Sequence, residues 1–188
     1  MPLSPIRHRD LGALLRRGLV SEEDPGTTRL MARAIRARRR GWLTRGEFIA
    51  MCRWKSPRAM LHYERNSPAR IRAATGRALA APSERRRMEH LTALAGVSVP
   101  VASAILTLLD PRRYGVLDIR VWQLLFALRS VGVNRAGRGF SIAQWEQYLA
   151  TLRRHARRLG ATARAVEYTL VLCHRMHQRG RLYDPPRR

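Results

Sequence analysis

Lys55 and Asp118 are the residues whose types and settings point to chemistry. Of 37 basic residues, Lys55 is the one lysine and the other 36 are arginine. Arginine suits phosphate at least as well, because its planar fork donates bidentately, but it keeps its proton near neutral pH. A lysine amine can lose that proton beside an apolar ring such as the adjacent Trp54 and among like charges, and it is then a nucleophile. The plainer reading of Lys55 is an exposed or phosphate-contacting side chain. Asp118 is one of 13 acidic residues and stands directly before the amphipathic run Ile119 to Val131. Its carboxylate can cap that helix or hold a positive charge that develops beside it.

Other side chains offer less. Trp42, Trp54, Tyr63 and Trp122 present faces on which a base can stack, although most such rings serve the core. Glu167, His174 and His177 share one face of the last helix, a spacing that suits a polar rim better than a metal site. Cys52 and Cys173 lie far apart, with neither a disulfide framework nor a zinc spacing, and two thiolates fall short of the four an iron–sulfur cluster requires. No metal site is expected.

The elements that must position these residues read as helices throughout. Period-two alternation is scarce and no Asn-Gly hairpin signal occurs, so the fold class is all-α, with at least eight helices in a compact multi-helix domain or two small lobes sharing a cleft. Residues 1–26 read as a loosely ordered lead-in with one short apolar run, Leu11 to Leu15, that could form a helix, 27–182 as the helical domain, and 183–188 as a disordered tail. A basic helix follows Thr27, stopped by Gly41. Thr44 and Glu47 form a capping-box pattern that opens a helix over 44–54. Ser56-Pro57 and Ser67-Pro68 each look like a cap followed by proline at the first helical position, which predicts helices over 57–64 and 68–80. Further helices are predicted over 84–94, 99–109, 118–131, 141–159 and 162–178.

The informative stretch is residues 91–126, LTALAGVSVPVASAILTLLDPRRYGVLDIRVWQLLF. Two helices meet at the tight turn Leu94-Ala95-Gly96-Val97-Ser98, where Gly96 can take a positive φ and the next helix N-terminus offers free N–H groups to a phosphate. The chain then leaves the helix at Asp110-Pro111 and re-enters one at Asp118. In order and spacing, Leu94-Ala95-Gly96-Val97, Ala102 and Val116-Leu117-Asp118-Ile119-Arg120-Val121-Trp122 resemble the helix-hairpin-helix DNA glycosylase superfamily, which includes endonuclease III and the 8-oxoguanine glycosylases. The resemblance implies that Asp118 supports cleavage of the N-glycosidic bond, since a leaving base creates positive charge on the deoxyribose. It implies that the base is flipped from the stack into a pocket, for which Trp54, Trp42 and Trp122 are candidates. It also implies a backbone grip by Leu94, Gly96, Val97, Ser98 and Val99, with Arg120 assisting. Ser98 stands where the family has a second hairpin glycine. Pro100 stands about where bifunctional members carry a lysine, which favours a hydrolytic, monofunctional reaction unless Lys55 attacks the sugar C1′ instead. The cofactor expectation is none, beyond a monovalent cation at the hairpin.

A formal charge of +24 makes a polyanion the expected partner. Arg39, Arg40, Arg153 and Arg157 lie in dense arginine clusters and are candidates for phosphate contacts. No apolar stretch approaches membrane-spanning length and no signal peptide is evident. The reading is a monomeric, intracellular, nucleoid-associated protein acting on duplex DNA with a damaged or modified base. The alternative is a non-catalytic nucleic-acid-binding protein using the same hairpin; an RNA- or ribosome-associated protein would explain the charge but not the hairpin-to-Asp arrangement.

Overall fold

The computed structural model describes residues 9–178. Along them run α1 (Leu11–Gly18), α2 (Pro25–Arg40), α3 (Arg45–Lys55), a 3-10 turn (Pro57–Ala59), α4 (Met60–Glu64), α5 (Pro68–Ala80), α6 (Glu84–Thr92), α7 (Val99–Leu109), α8 (Ile119–Ala127), α9 (Ile142–Leu159) and α10 (Ala163–His177). The all-α expectation holds for these residues. None of the described helices is long and apolar enough to cross a membrane. Residues 1–8 and the 183–188 tail lie outside the described residues.

Local signals set most helix starts. Thr44 with Glu47, and Ser141 with Gln144, form reciprocal capping boxes at α3 and α9. Ser67, Ser83 and Thr162 each accept an N–H from the third residue onward, satisfying donors that the first turn leaves open.

Three expectations need correction. Residues 11–26 are more than a loose lead-in: α1 buries Leu11, Leu14 and Leu15 in the core, and α2 begins at Pro25 because Asp24 accepts from Gly26 and Thr27 N–H. Residues 57–64 are not one helix. Ser56 makes no cap bond, and a 3-10 turn precedes the short α4. The helix after Asp118 stops at Ala127, short of Val131, because Arg129 enters the left-handed region at φ 54 and Ser130 N–H closes on Leu125 O at 2.8 Å.

Every residue of α7 except Pro100 is buried, and the helix packs against α2, α3 and α6. A second group forms around α10, which contacts α1, α8 and α9, while α6 against α9 joins the two. One apolar cluster runs through both groups. Segment 110–118, a turn over 111–113 followed by irregular chain, links them and carries Asp118 to the junction. Gly115 lets this segment lie flat on α9 and α10: a Cβ there would come within 2.5 Å of Leu152 Cδ1 and 2.8 Å of Glu167 Cβ. Tyr148 Oη donates to Val116 O at 2.8 Å, and Leu117 N–H donates to Ser103 Oγ of α7 at 2.9 Å, so Asp118 is held from both sides.

Candidate active site

Asp118 caps α8, its Oδ1 accepting from Arg120 N–H at 2.6 Å. Its other oxygen, Oδ2, lies 3.3 Å from Lys55 Nζ, at the last residue of α3. Both side chains are largely buried, 16% and 20% exposed for Lys55 and Asp118. Burial pulls the Asp118 pKa upward, but the Lys55 charge, the Arg120 N–H and the Lys55 hydrogen bond outweigh it and hold the carboxyl below its usual range. Asp118 is therefore a carboxylate at neutral pH.

The pair stands on the wall between two cavities. An outer cleft of about 720 Å³ has Lys55, Arg58, Arg120 and Arg138 around it against Asp118 as its one carboxylate. Ser98, Pro100 and Val101 bring the start of α7 to its edge. Ser98 makes no side-chain cap, so the Val99 and Val101 N–H groups are open toward that edge. A second open pocket of about 360 Å³ also touches Lys55 and Asp118, and is lined by Trp54, Tyr168 and Val116 together with the charged Asp24, Arg164, Glu167 and Arg175. Trp54 Nε1 donates to Thr27 Oγ1 at 2.9 Å, which fixes the indole plane. Within this lining, Glu167 is buried and ion-paired with Arg164, which also bonds Glu23. Burial dominates at Glu167 and raises its pKa despite the Arg164 charge.

The turn before α7 is shaped by two residues. Gly96 sits at φ 80, and a Cβ there would approach His62 Cβ to 2.7 Å and Tyr63 Cδ1 to 3.0 Å. Asn66, which is buried, reads both backbone groups of Ala95: Ala95 N–H donates to Oδ1 at 2.9 Å, and Nδ2 donates to Ala95 O at 3.0 Å and Tyr63 O at 2.9 Å. Gly96→Val combines a disfavoured φ with a backbone-side clash, and is expected to cost about 2–4 kcal/mol in urea unfolding. Gly96→Ala should fall between the two. The turn's carbonyls fit a monovalent cation poorly, since Arg70 Nη2 donates to Ala93 O at 2.8 Å, Asn66 takes Ala95 O, and Val97 N–H takes Leu94 O at 3.1 Å. A guanidinium already supplies positive charge there.

The remaining candidates divide. Gly96 and Ser98 are exposed on the turn, whereas Leu94, Val97 and Val99 turn their side chains into the core and can offer only backbone to a ligand. Arg39 and Arg157 are exposed but line neither cavity. Arg40 pairs with Glu47 and, with Arg72, covers the Trp42 ring at 4.3 and 4.5 Å. Arg153 donates to Glu84 at 2.7 Å and to Arg113 O at 2.9 Å, so its head is committed within the fold. Of the rings, Trp54 lines the second pocket and Trp42 lines neither. Trp122 is fully buried, with Nε1 donating to Asn134 O at 2.9 Å, so it is no base platform; Tyr63 is likewise buried, edge-on to Phe48.

The polar rim expected on α10 is internal instead. His174 and Glu167 are buried. Gln123 Nε2 donates to Ala136 O at 3.3 Å, which turns its Oε1 toward His174 Nε2 at 3.2 Å and places the ring proton on that nitrogen. Burial, aided by the Arg120 charge, pushes the imidazole down to about 4 from 6.5. The unfolded chain therefore takes up this proton first as pH falls. The stability from neutral His174 is complete above about pH 6.5 and is lost toward pH 4, on the order of 2–3 kcal/mol at most. Thermal melts across that window should show the loss, and His174→Gln should flatten it.

The chain matches no protein-family model, and no curated protein or solved structure matches it either.

Proposed function

We propose that this protein is a DNA glycosylase of the helix-hairpin-helix kind, which hydrolyses the N-glycosidic bond of a damaged or modified base flipped from duplex DNA. The observation that supports this reading best is the Lys55–Asp118 pair, largely buried on the wall between a cationic cleft and a second pocket that carries Trp54 and Tyr168. DNA backbone suits the cleft, where the open start of α7 offers N–H groups to a phosphate and Arg120 and Arg58 add charge. The extruded base suits the second pocket, against Trp54 and Tyr168. That places the sugar beside Asp118. As the base leaves, the carboxylate stabilises the positive charge growing at C1′ and orients a water for attack on it. An intracellular, nucleoid-associated setting goes with this chemistry.

Lys55 supports a second step. The neutral form of its amine can attack the C1′ aldehyde of the ring-opened abasic sugar; the carbinolamine then loses its hydroxyl and the nitrogen proton as water, and an imine forms. The 3.3 Å contact between the two groups favours this over a surface role for the lysine.

A non-catalytic DNA-binding protein would need the cleft and the α7 N-terminus, and in it the Lys55–Asp118 pair would only hold α3 to the Asp118 segment. Duplexes that each carry one modified base, incubated with the protein and then treated with alkali, separate the readings. Strand breaks at the lesion are expected of the glycosylase. Binding without breaks on any duplex leaves the binder.

A further inference from the structure

The outer cleft has a wall that lies outside the hairpin and the Asp118 segment. After α8 the chain returns through a loop, and Gly137, Arg138, Gly139 and Phe140 face the cleft along with the start of α7 and Lys55. No acidic residue occurs between Asp118 and Glu146, while Arg120, Arg129, Arg135 and Arg138 fall in that interval.

This loop is built to hold one shape. Asn134 takes φ 53, a left-handed conformation that asparagine adopts more readily than other residues with a side chain. Its contacts hold it there. Asn134 O accepts Trp122 Nε1 at 2.9 Å and Gly137 N–H at 2.9 Å, and Asn134 Nδ2 donates to Arg138 O at 2.9 Å. Phe140 packs edge-on against Trp122 with ring centroids 5.2 Å apart. At Gly137 the backbone presses so close to Ile119, the residue after Asp118, that a Cβ would lie 3.3 Å from Ile119 O. The loop is thus locked to the same helix start that carries the candidate carboxylate, and it presents the exposed Arg138 toward the cleft.

We infer that the loop Asn134–Phe140 is a second clamp on the DNA backbone, with Arg138 contacting a phosphate across the cleft from the N-terminus of α7. The inference rests on DNA being what the cleft holds, and not on base excision. A loop whose backbone is already held suits this task because no backbone ordering is needed when it meets a phosphate, and the arginine fork can bond two phosphate oxygens. Two opposed backbone grips would also hold the strand on either side of an extruded nucleotide, where phosphate contacts set position without reading sequence.

Fluorescence anisotropy of a labelled short duplex containing an abasic-site analogue, titrated at several NaCl concentrations, tests the inference in the full chain. Arg138→Ala is expected to weaken binding about tenfold at low salt and to make the slope of log affinity against log salt shallower by about one. Arg77→Ala removes one exposed charge from α5, away from both cavities, and should leave the slope unchanged. Asn134→Gly keeps the left-handed φ but loses the side-chain bond to Arg138 O, and should weaken binding in the same direction as Arg138→Ala. If Arg138→Ala behaves like Arg77→Ala, the clamp is wrong while DNA binding stands. If the wild type binds no duplex at any salt, the DNA reading fails and the clamp with it.

Discussion

Asp118→Asn is expected to bind lesion-bearing duplex about as the wild type does and to release base roughly 10²- to 10⁴-fold more slowly. The asparagine keeps the oxygen that accepts Arg120 N–H, so the start of α8 remains capped. What disappears is the negative charge beside C1′. Lys55 then loses its counter-ion in a largely buried setting, so the melting temperature should fall by a few degrees without loss of the fold. The pH profile adds a sign. Asp118 is held below the usual carboxylate range, and the active form is the ionised one. The activity it supplies is complete above that range and lost only as pH drops through its lowered value, so single-turnover base release should show no Asp118-linked fall between about pH 5 and 8. An Asp118→Asn variant as active as the wild type would leave the residue as a cap alone.

Borohydride added during reaction with abasic-site DNA is expected to trap a covalent complex through Lys55. The imine formed when the amine displaces water from C1′ is reduced to a stable secondary amine linking protein and strand. Lys55→Arg keeps a cation beside Asp118 and the contact that holds α3 to the Asp118 segment, but arginine stays protonated and cannot attack. Trapping should therefore vanish in this variant while duplex binding persists and base release by water continues. Because the chain has one lysine, a complex that survives the substitution cannot involve another lysine side chain. Survival of the complex, or its absence in the wild type, removes Lys55 as a nucleophile and leaves Asp118 acting with water.

The helices were legible because their starts are local events. Thr44 with Glu47, and Ser67 with Pro68, place caps and first turns within a few residues of one another, and the structure uses them as the spacing predicts. The turn at Gly96 was legible for the same reason. What joins distant segments was not. Lys55 and Asp118 are 63 positions apart, and they meet because α3 packs on α7, which holds the Asp118 segment through Ser103. Asn66 gives no sign in Arg65-Asn66-Ser67 that its amide clamps Ala95.

The arginines misled for a different reason. With few acidic residues, Arg153 reads as a free phosphate contact, yet Glu84 gathers Arg87, Arg113 and Arg153 around one carboxylate. Scarce acids are shared, which a residue-by-residue tally does not reveal. Trp122 misled because an aromatic next to a candidate catalytic residue looks available, whereas its ring packs on Phe140 and its N–H holds the following loop. The loop's left-handed Asn134 lies in a Gly132-to-Gly137 turn sequence, but its bonds to Trp122 and Arg138 join segments that composition and periodicity do not connect.

Base excision is tested most directly by detecting the free base. Duplexes carrying oxidised, alkylated or deaminated bases are incubated with excess protein, the DNA is removed, and the filtrate is analysed by mass spectrometry beside parallel reactions of Asp118→Asn. The account predicts that at least one modified base appears intact and stoichiometric with abasic sites in the wild-type reaction, and at a hundredth of that rate or less with the variant. Wild-type protein that binds these duplexes yet releases no base from any of them, or releases it equally with Asp118→Asn, would contradict it.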